Sequence, residues 1–390
     1  MSTSLSRREW LTACGGLCAT AALGPNVFAA DASVQIEDVR VISWKPPLYH
    51  GWPTLARRKN GELLLVFSGG RETHVCPFGR VELMRSQDNG LNWRWPQVLM
   101  DGPIDDRDAG VVETMLGTIL VTSFTSLAYE AILKKAEAIA PGEPGAWDPH
   151  LLREWQAAHH RIDDKQRQCE VGSYMIRSED GGVTWSHRKR MPVSSPHGPI
   201  QLRDGILLYC GVEQWHRRRQ IIAFESDDDG QNWFELSIIP TRPGDDHTHY
   251  HELHAVEATN GTIIAHTRNH NAENLHETLQ TESTDRGKTW SVPHSIGVWG
   301  YPSHLLRLRD GRLLMSYGHR RAPLGNQVRL SEDHGQTWSP AMIINGDAHS
   351  GDMGYPSTVE CDDGILVTVW YELLKGSAQA QLRQARWRLS

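Results

Sequence analysis

Arginine, histidine, tyrosine and carboxylate side chains recur in this chain at the two ends of strand-like runs. At the openings stand Trp52, Asp105, Asp106, Arg107, Asp108, His197, His251, Glu252, Tyr301, Asp352 and Tyr355, and at the far ends Arg71, Glu72, His74, Arg268 and Arg320. A guanidinium matches a carboxylate bidentately, and an imidazole moves protons near neutrality. If the runs converge on one axis, their ends line one cavity, and a lining of this composition suits an anionic sugar. The stretch from Asp246 to His254 also carries His247, His249 and His251, which an extended backbone would place on one face. Such positions lie about 6.6–7 Å apart, a poor match to one zinc ion with nitrogen ligands near 2.1 Å. Substrate contact or proton transfer is therefore the expected use of these histidines, with no metal and no cofactor.

Two interleaved repeats must position these residues. Five copies of Ser-x-Asp-x-Gly-x-x-Trp begin at Ser86, Ser178, Ser226, Ser283 and Ser331. Each reads as a hairpin turn: the Asp bonds the turn backbone, the Gly allows positive φ, and the Trp caps the hairpin with apolar surface. Out of phase with them, strand–turn–strand runs rich in Val, Ile, Leu and Thr recur around Gly61, Gly117, Gly205, Gly261, Gly311 and Gly364. Only the last of these six runs lacks a following eight-residue pattern, as a closed ring shows when its final blade is completed by the N-terminal strand VQIEDVRVIS. The expected fold is all-β, a six-bladed β-propeller of four-stranded antiparallel blades spanning residues 35–390.

Together the repeats resemble the sialidase (neuraminidase) superfamily, whose Asp boxes sit on a six-bladed propeller. The resemblance implies an exo-acting glycoside hydrolase that releases a terminal acidic sugar. In that superfamily a tyrosine nucleophile is activated by a glutamate, three arginines clamp the substrate carboxylate, and an aspartate serves as acid/base. By motif the tyrosine falls on Tyr355 in Gly354-Tyr355-Pro356-Ser357 and the glutamate on Glu252. The arginines fall on Arg268 in Thr267-Arg268-Asn269 and Arg320 in Gly318-His319-Arg320, and the one closing the first hairpin on Arg71 in Gly69-Gly70-Arg71. Two departures stand out. Where the family has Arg-Ile-Pro this chain has Gly51-Trp52-Pro53, and after Arg71 only Glu72 or His74 offers itself in place of the aspartate. Losing a clamp arginine removes a charge-assisted contact worth roughly 1.5–3 kcal/mol, enough to change carboxylate specificity. Trp52, Asp106, Arg107, His197, His251 and Tyr301 complete the expected substrate contacts.

One segment, residues 126–169, breaks the repeat with helical patterning and an Asp148-Pro149 start, reading as two helices inserted in the second blade. It suits a wall or lid over the cavity, or an oligomer-forming hairpin. Residues 1–30 read as a twin-arginine-type export signal, with Ser6-Arg7-Arg8-Glu9-Trp10-Leu11, a small apolar run and Phe28-Ala29-Ala30 at the cleavage site. Periplasmic or secreted placement follows. No other stretch approaches a membrane span. A net charge of −7 disfavours a protein that wraps nucleic acid. The remaining Cys76, Cys169, Cys210 and Cys361 show no metal-type spacing. Two further function classes stay open: a His/Tyr-dependent polysaccharide lyase on uronate glycans, and a non-catalytic carbohydrate-binding propeller.

Overall fold

The computed structural model describes residues 33–43, 47–213, 218–272 and 275–390, so the expected export signal lies outside the described residues. Within them the strands form six four-stranded antiparallel sheets arranged as blades. Blade 1 runs Tyr49–Arg57, Leu63–Arg71, Arg80–Ser86 and Gln97–Met100, in chain order from axis to rim, and blades 2 to 5 repeat that order. Blade 6 contains Met353–Glu360, Leu366–Leu373 and Ala380–Leu389, and its outermost strand is the N-terminal Val34–Val41, paired from Val34 with Leu389 to Val41 with Arg383. The ring is closed as the repeat pattern requires.

Most inner and second strands show near-continuous burial instead of alternation, because neighbouring blades cover both of their faces. The core consequently lies between blades: Leu63, Leu65 and Phe67 pack on Val367 and Val369, and Leu208 and Ala223 on Ala255 and Ile263. The eight-residue turns staple this arrangement. In the first, Ser86 donates to Asp88 (2.8 Å), the Gly90 amide donates to the Ser86 hydroxyl (3.0 Å), and the Asn92 amide donates to Asp88 (2.8 Å). Two of the closing tryptophans reach the preceding blade: the Trp93 indole donates to Gln384 and that of Trp338 to Gln280.

The insertion in blade 2 forms three helices where the pattern suggests two: α1 (Tyr129–Glu137), α2 (Pro149–His159) and α3 (Asp164–Glu170). Asp148 caps α2 by accepting from the His150 and Leu151 amides, with Pro149 in the first turn. The extra break comes at Asp163, which with Gln166 makes a reciprocal capping box and starts α3 as a separate helix. Tyr129, Leu133 and Trp155 bury against Cys76 of the loop between the second and third strands of blade 1.

Down the axis, His197, His254 and His304 pack ring against ring at 4.6–5.3 Å. They floor a cavity of about 390 Å³ that opens toward the turn ends of the inner strands, at Arg57, Glu113, Arg307 and Glu360. Burial drives all three imidazoles well below their ordinary pKa, so they are neutral.

Candidate functional site

At the other end of the axis, four inner strands share one irregularity. Pairing slips between Gly51 and Thr54, Arg107 and Gly110, His251 and Leu253, and Gly354 and Ser357. The residues within those slips, Trp52, Asp108, Glu252 and Tyr355, have φ of 52°, 44°, 29° and 53°. Left-handed backbone at a non-glycine costs about 1–2 kcal/mol per residue, and such strain collects at functional sites. A bulge re-aims the side chain it carries. The effect is visible in Tyr355 and Glu252, which belong to the non-adjacent blades 6 and 4 and still meet through a hydrogen bond from the phenol to Glu252 Oε1.

Around that bond the charges are ordered. Arg268 Nη1 donates to Glu252 Oε2 at 2.7 Å and approaches the Tyr355 hydroxyl at 3.4 Å. Burial works against ionising Glu252, but the Arg268 charge and the hydrogen bonds from Tyr355 and Arg268 prevail and hold its carboxyl below the usual range. Burial together with the Glu252 and Asp108 carboxylates pushes the Tyr355 phenol well above its ordinary value. The phenol is thus protonated at rest, with a carboxylate in place to take its proton. Arg268 and Arg320 both lie over the Tyr301 ring, at 4.1 and 4.8 Å. Arg320 donates to the Met353 carbonyl (2.9 Å) and the Tyr371 hydroxyl (3.3 Å), which leaves its charge without a carboxylate among the described residues.

A second network adjoins the first through Tyr371, whose ring lies 5.8 Å from that of Tyr355. The Tyr49 hydroxyl donates to Asp352 at 3.0 Å, His74 Nδ1 lies 3.0 Å from the same carboxylate, and the His74 ring stands edge-on to Trp52 at 4.9 Å. His74 keeps 48% of its side chain exposed, so an imidazole oriented by a carboxylate faces the solvent side of the site.

Several residues expected here have other employment. Arg71 is fully buried and bound bidentately by Asp105 (2.5 and 3.0 Å), so its guanidinium is not free to clamp a substrate. Gly79 makes room for that pair, since a Cβ there would lie 1.9 Å from Asp105 Oδ1. Glu72 accepts from the Trp155 indole of the insertion (2.9 Å). Asp106 points away from the axis, accepting from the Gly102 amide beside Arg188. His197 belongs to the axial floor, its Nδ1 3.1 Å from Thr54 Oγ1. Arg107 lies 4.5 Å over the Trp52 ring, at the edge of the site. His251 packs against His270 at 4.6 Å beside Glu252. His247 and His249 share no strand face, because Asp246 accepts from the Thr248 amide and starts a 3-10 turn over His247–His249.

Sequence reasoning set Asp108 among the lining residues but chose Asp106 for substrate contact, and it is Asp108 that the bulge turns toward Glu252 and Tyr355. The Asp108 amide is held by Ser68 (3.0 Å), its Oδ1 is buried without a partner, and burial, opposed by Arg107 and reinforced by Glu252, pushes its carboxyl up to about 7. The signal was present in Asp105-Asp106-Arg107-Asp108, but choosing among three carboxylates needs the position of the bulge. Tyr371 was missed; it pairs with Gly354 across the hairpin, a register that places it beside Tyr355.

The family model for a BNR repeat-like domain matches residues 153–368. A sialidase of Micromonospora viridifaciens is 23% identical over 301 residues, covering 75% of this chain and 36% of the relative, so the chain matches about a third of that protein's length. Among solved structures, a Dyadobacter fermentans protein of unknown function superposes with a TM-score of 0.73 at 21% identity, covering 92% of this chain and 100% of the other. A Hadza microbial sialidase superposes at 0.60 and 17% identity, over 86% of this chain and 65% of its own.

Proposed function

The chain belongs to the BNR repeat-like domain family on a sialidase-superfamily propeller, and from that premise we propose that it is an exo-acting glycoside hydrolase releasing a terminal acidic sugar, sialic acid or a related keto or uronic acid. The observation that carries this reading is the contact of Tyr355, Glu252 and Arg268 across the axis, with the uncompensated Arg320 beside them. Arg268 and Arg320 receive the sugar carboxylate, a clamp of two arginines with Tyr301 beneath both. Tyr355 Oη attacks the anomeric carbon while Glu252 Oε1 takes its proton; a neutral phenol engaged by a carboxylate avoids placing a second anion beside the substrate's own. His74, steadied by Asp352, donates a proton to the departing oxygen; water, deprotonated by His74, then displaces Tyr355 Oη from the anomeric carbon, and Glu252 returns its proton to the phenol. Asp108, neutral below about 7, offers a hydrogen-bond donor to the bound sugar without repelling its carboxylate.

The test is a release assay of the protein against sialosides, other keto-acid glycosides and uronate polysaccharides. Free acidic sugar without the ultraviolet absorbance of an unsaturated uronate is the expected result. The Tyr49–His74–Asp352 cluster specifically favours one second reading, a lyase in which His74 removes the proton α to a uronate carboxylate, and that absorbance would reveal it. Saturable sugar binding with neither product would mark a carbohydrate-binding propeller.

A further inference from the structure

We propose that the groove between helix α2 and blade 1 is the subsite for the portion of the glycan beyond the scissile bond, and that it takes neutral, hydroxyl-rich sugar residues. This rests on the glycosidase reading above. If the acidic sugar sits on Arg268, Arg320 and Tyr355, and the exposed His74 protonates the leaving oxygen, the rest of the glycan departs on the His74 side. His74 rides on the loop between Arg71 and Arg80, and on that side of blade 1 lies a groove of about 600 Å³. Its lining includes Leu48, Glu72, Phe78, Arg80, Ala157 and Arg161. Leu48 directly precedes Tyr49, whose hydroxyl lies 3.1 Å from His74, and Glu72 is two residues before His74, so the groove starts at the edge of the site.

Its chemistry narrows the occupant. Phe78, Leu48 and the alanines of α2 give an apolar face, and polar groups rim it, the combination that a pyranose ring with one apolar face and equatorial hydroxyls requires. Three of its charged groups are already engaged: Arg80 pairs with Glu82 (2.7 Å), Glu72 accepts from Trp155, and Arg161 donates to the carbonyls of Ala158, Pro77 and Pro103. Asp101 and Glu154 add carboxylates, which disfavours a second acidic sugar. The wall is preformed. Trp155 is held by Glu72, stands edge-on to Phe78 and packs against Trp147 at 4.8 Å. The groove therefore needs no closure to accept a ligand, and the insertion that builds it is what would make this protein prefer extended glycans.

The experiment compares sialyllactose with an umbelliferyl α-sialoside, in the full protein and in Ala157→Trp. Ala157 is exposed on α2, so the indole enters the groove without displacing buried atoms. The expected result is a fall of tenfold or more in the ratio of kcat/KM for sialyllactose to that for the umbelliferyl glycoside, carried mainly by KM, at unchanged Tm. A ratio within twofold of the parent, at unchanged Tm, overturns the proposal. Should that variant not fold, Glu154→Trp on the same wall carries the same comparison. If the parent protein releases sugar from neither substrate, the hydrolase reading falls, and a lactose titration followed by saturation-transfer NMR judges the groove alone. Saturable lactose binding weakened tenfold or more by Ala157→Trp then supports the subsite, and the absence of saturable binding to the parent overturns it.

Discussion

Tyr355, Glu252 and Arg268 form a unit in which each residue sets the state of the next. Arg268 keeps Glu252 ionised in a buried place, and Glu252 keeps the phenol protonated and hydrogen-bonded, with an acceptor in place for its proton. Tyr355→Phe is expected to lower kcat by more than about 10³-fold while leaving affinity for a carboxylate sugar largely intact, because both arginines remain. Steady-state kinetics beside calorimetric binding of an unhydrolysable analogue separates the two effects. Arg320→Leu has the opposite signature: removing one charge-assisted contact of about 1.5–3 kcal/mol raises KM by roughly 10–150-fold. Asp108 adds a pH dependence. Below about 7 its carboxyl is protonated; above, a second anion forms beside Glu252 and repels the substrate carboxylate. In the parent protein kcat/KM therefore falls as pH rises through about 7, and in Asp108→Asn that alkaline limb is absent. A pH profile that keeps the limb in the variant removes Asp108 from the site.

At the scale of elements, the eight-residue turns hold the hairpins and the bulges aim the chemistry. Asp333 accepts from the Thr337 amide and the Ser331 hydroxyl, each at 2.8 Å, so Asp333→Ala should destabilise the fold by about 1–2 kcal/mol, read as a lower urea midpoint with activity per folded molecule unchanged. The turns were legible in the sequence because everything they need lies within eight residues. The strand runs were legible for the same reason, and the closing strand because the last run lacked a turn. Tyr355, Glu252 and Arg268 could be located because short motifs and blade position coincide. Arg71 could not be judged from its own neighbourhood: the carboxylate that claims it, Asp105, is 34 residues away in the next blade. Glu72 was similarly claimed by Trp155 from an insertion that follows no repeat. The choice of Asp108 over Asp106 turns on which residue takes the left-handed bulge, and a run of Asp, Asp, Arg and Asp does not encode that choice locally.

For the whole molecule, the ring gathers groups from blades 4, 5 and 6 at one end of the axis and fills its middle with His197, His254 and His304. These imidazoles are neutral when folded, with pKa values far below the unfolded value of about 6.5. Below that pH the unfolded chain binds protons that the folded one cannot, so stability present above about 6.5 is lost on acidification, by up to about 4 kcal/mol per pH unit if all three contribute. Denaturant unfolding at neutral pH and at pH about 5 checks the sign, and His304→Asn should flatten the slope. The central claim is that Tyr355 becomes bonded to the sugar at the axis. Peptide mapping by mass spectrometry after trapping with a fluorinated keto-acid glycosyl fluoride tests it most directly. A glycosyl adduct on Tyr355 is the predicted result; an adduct on another residue, or steady turnover with no adduct on Tyr355, contradicts it.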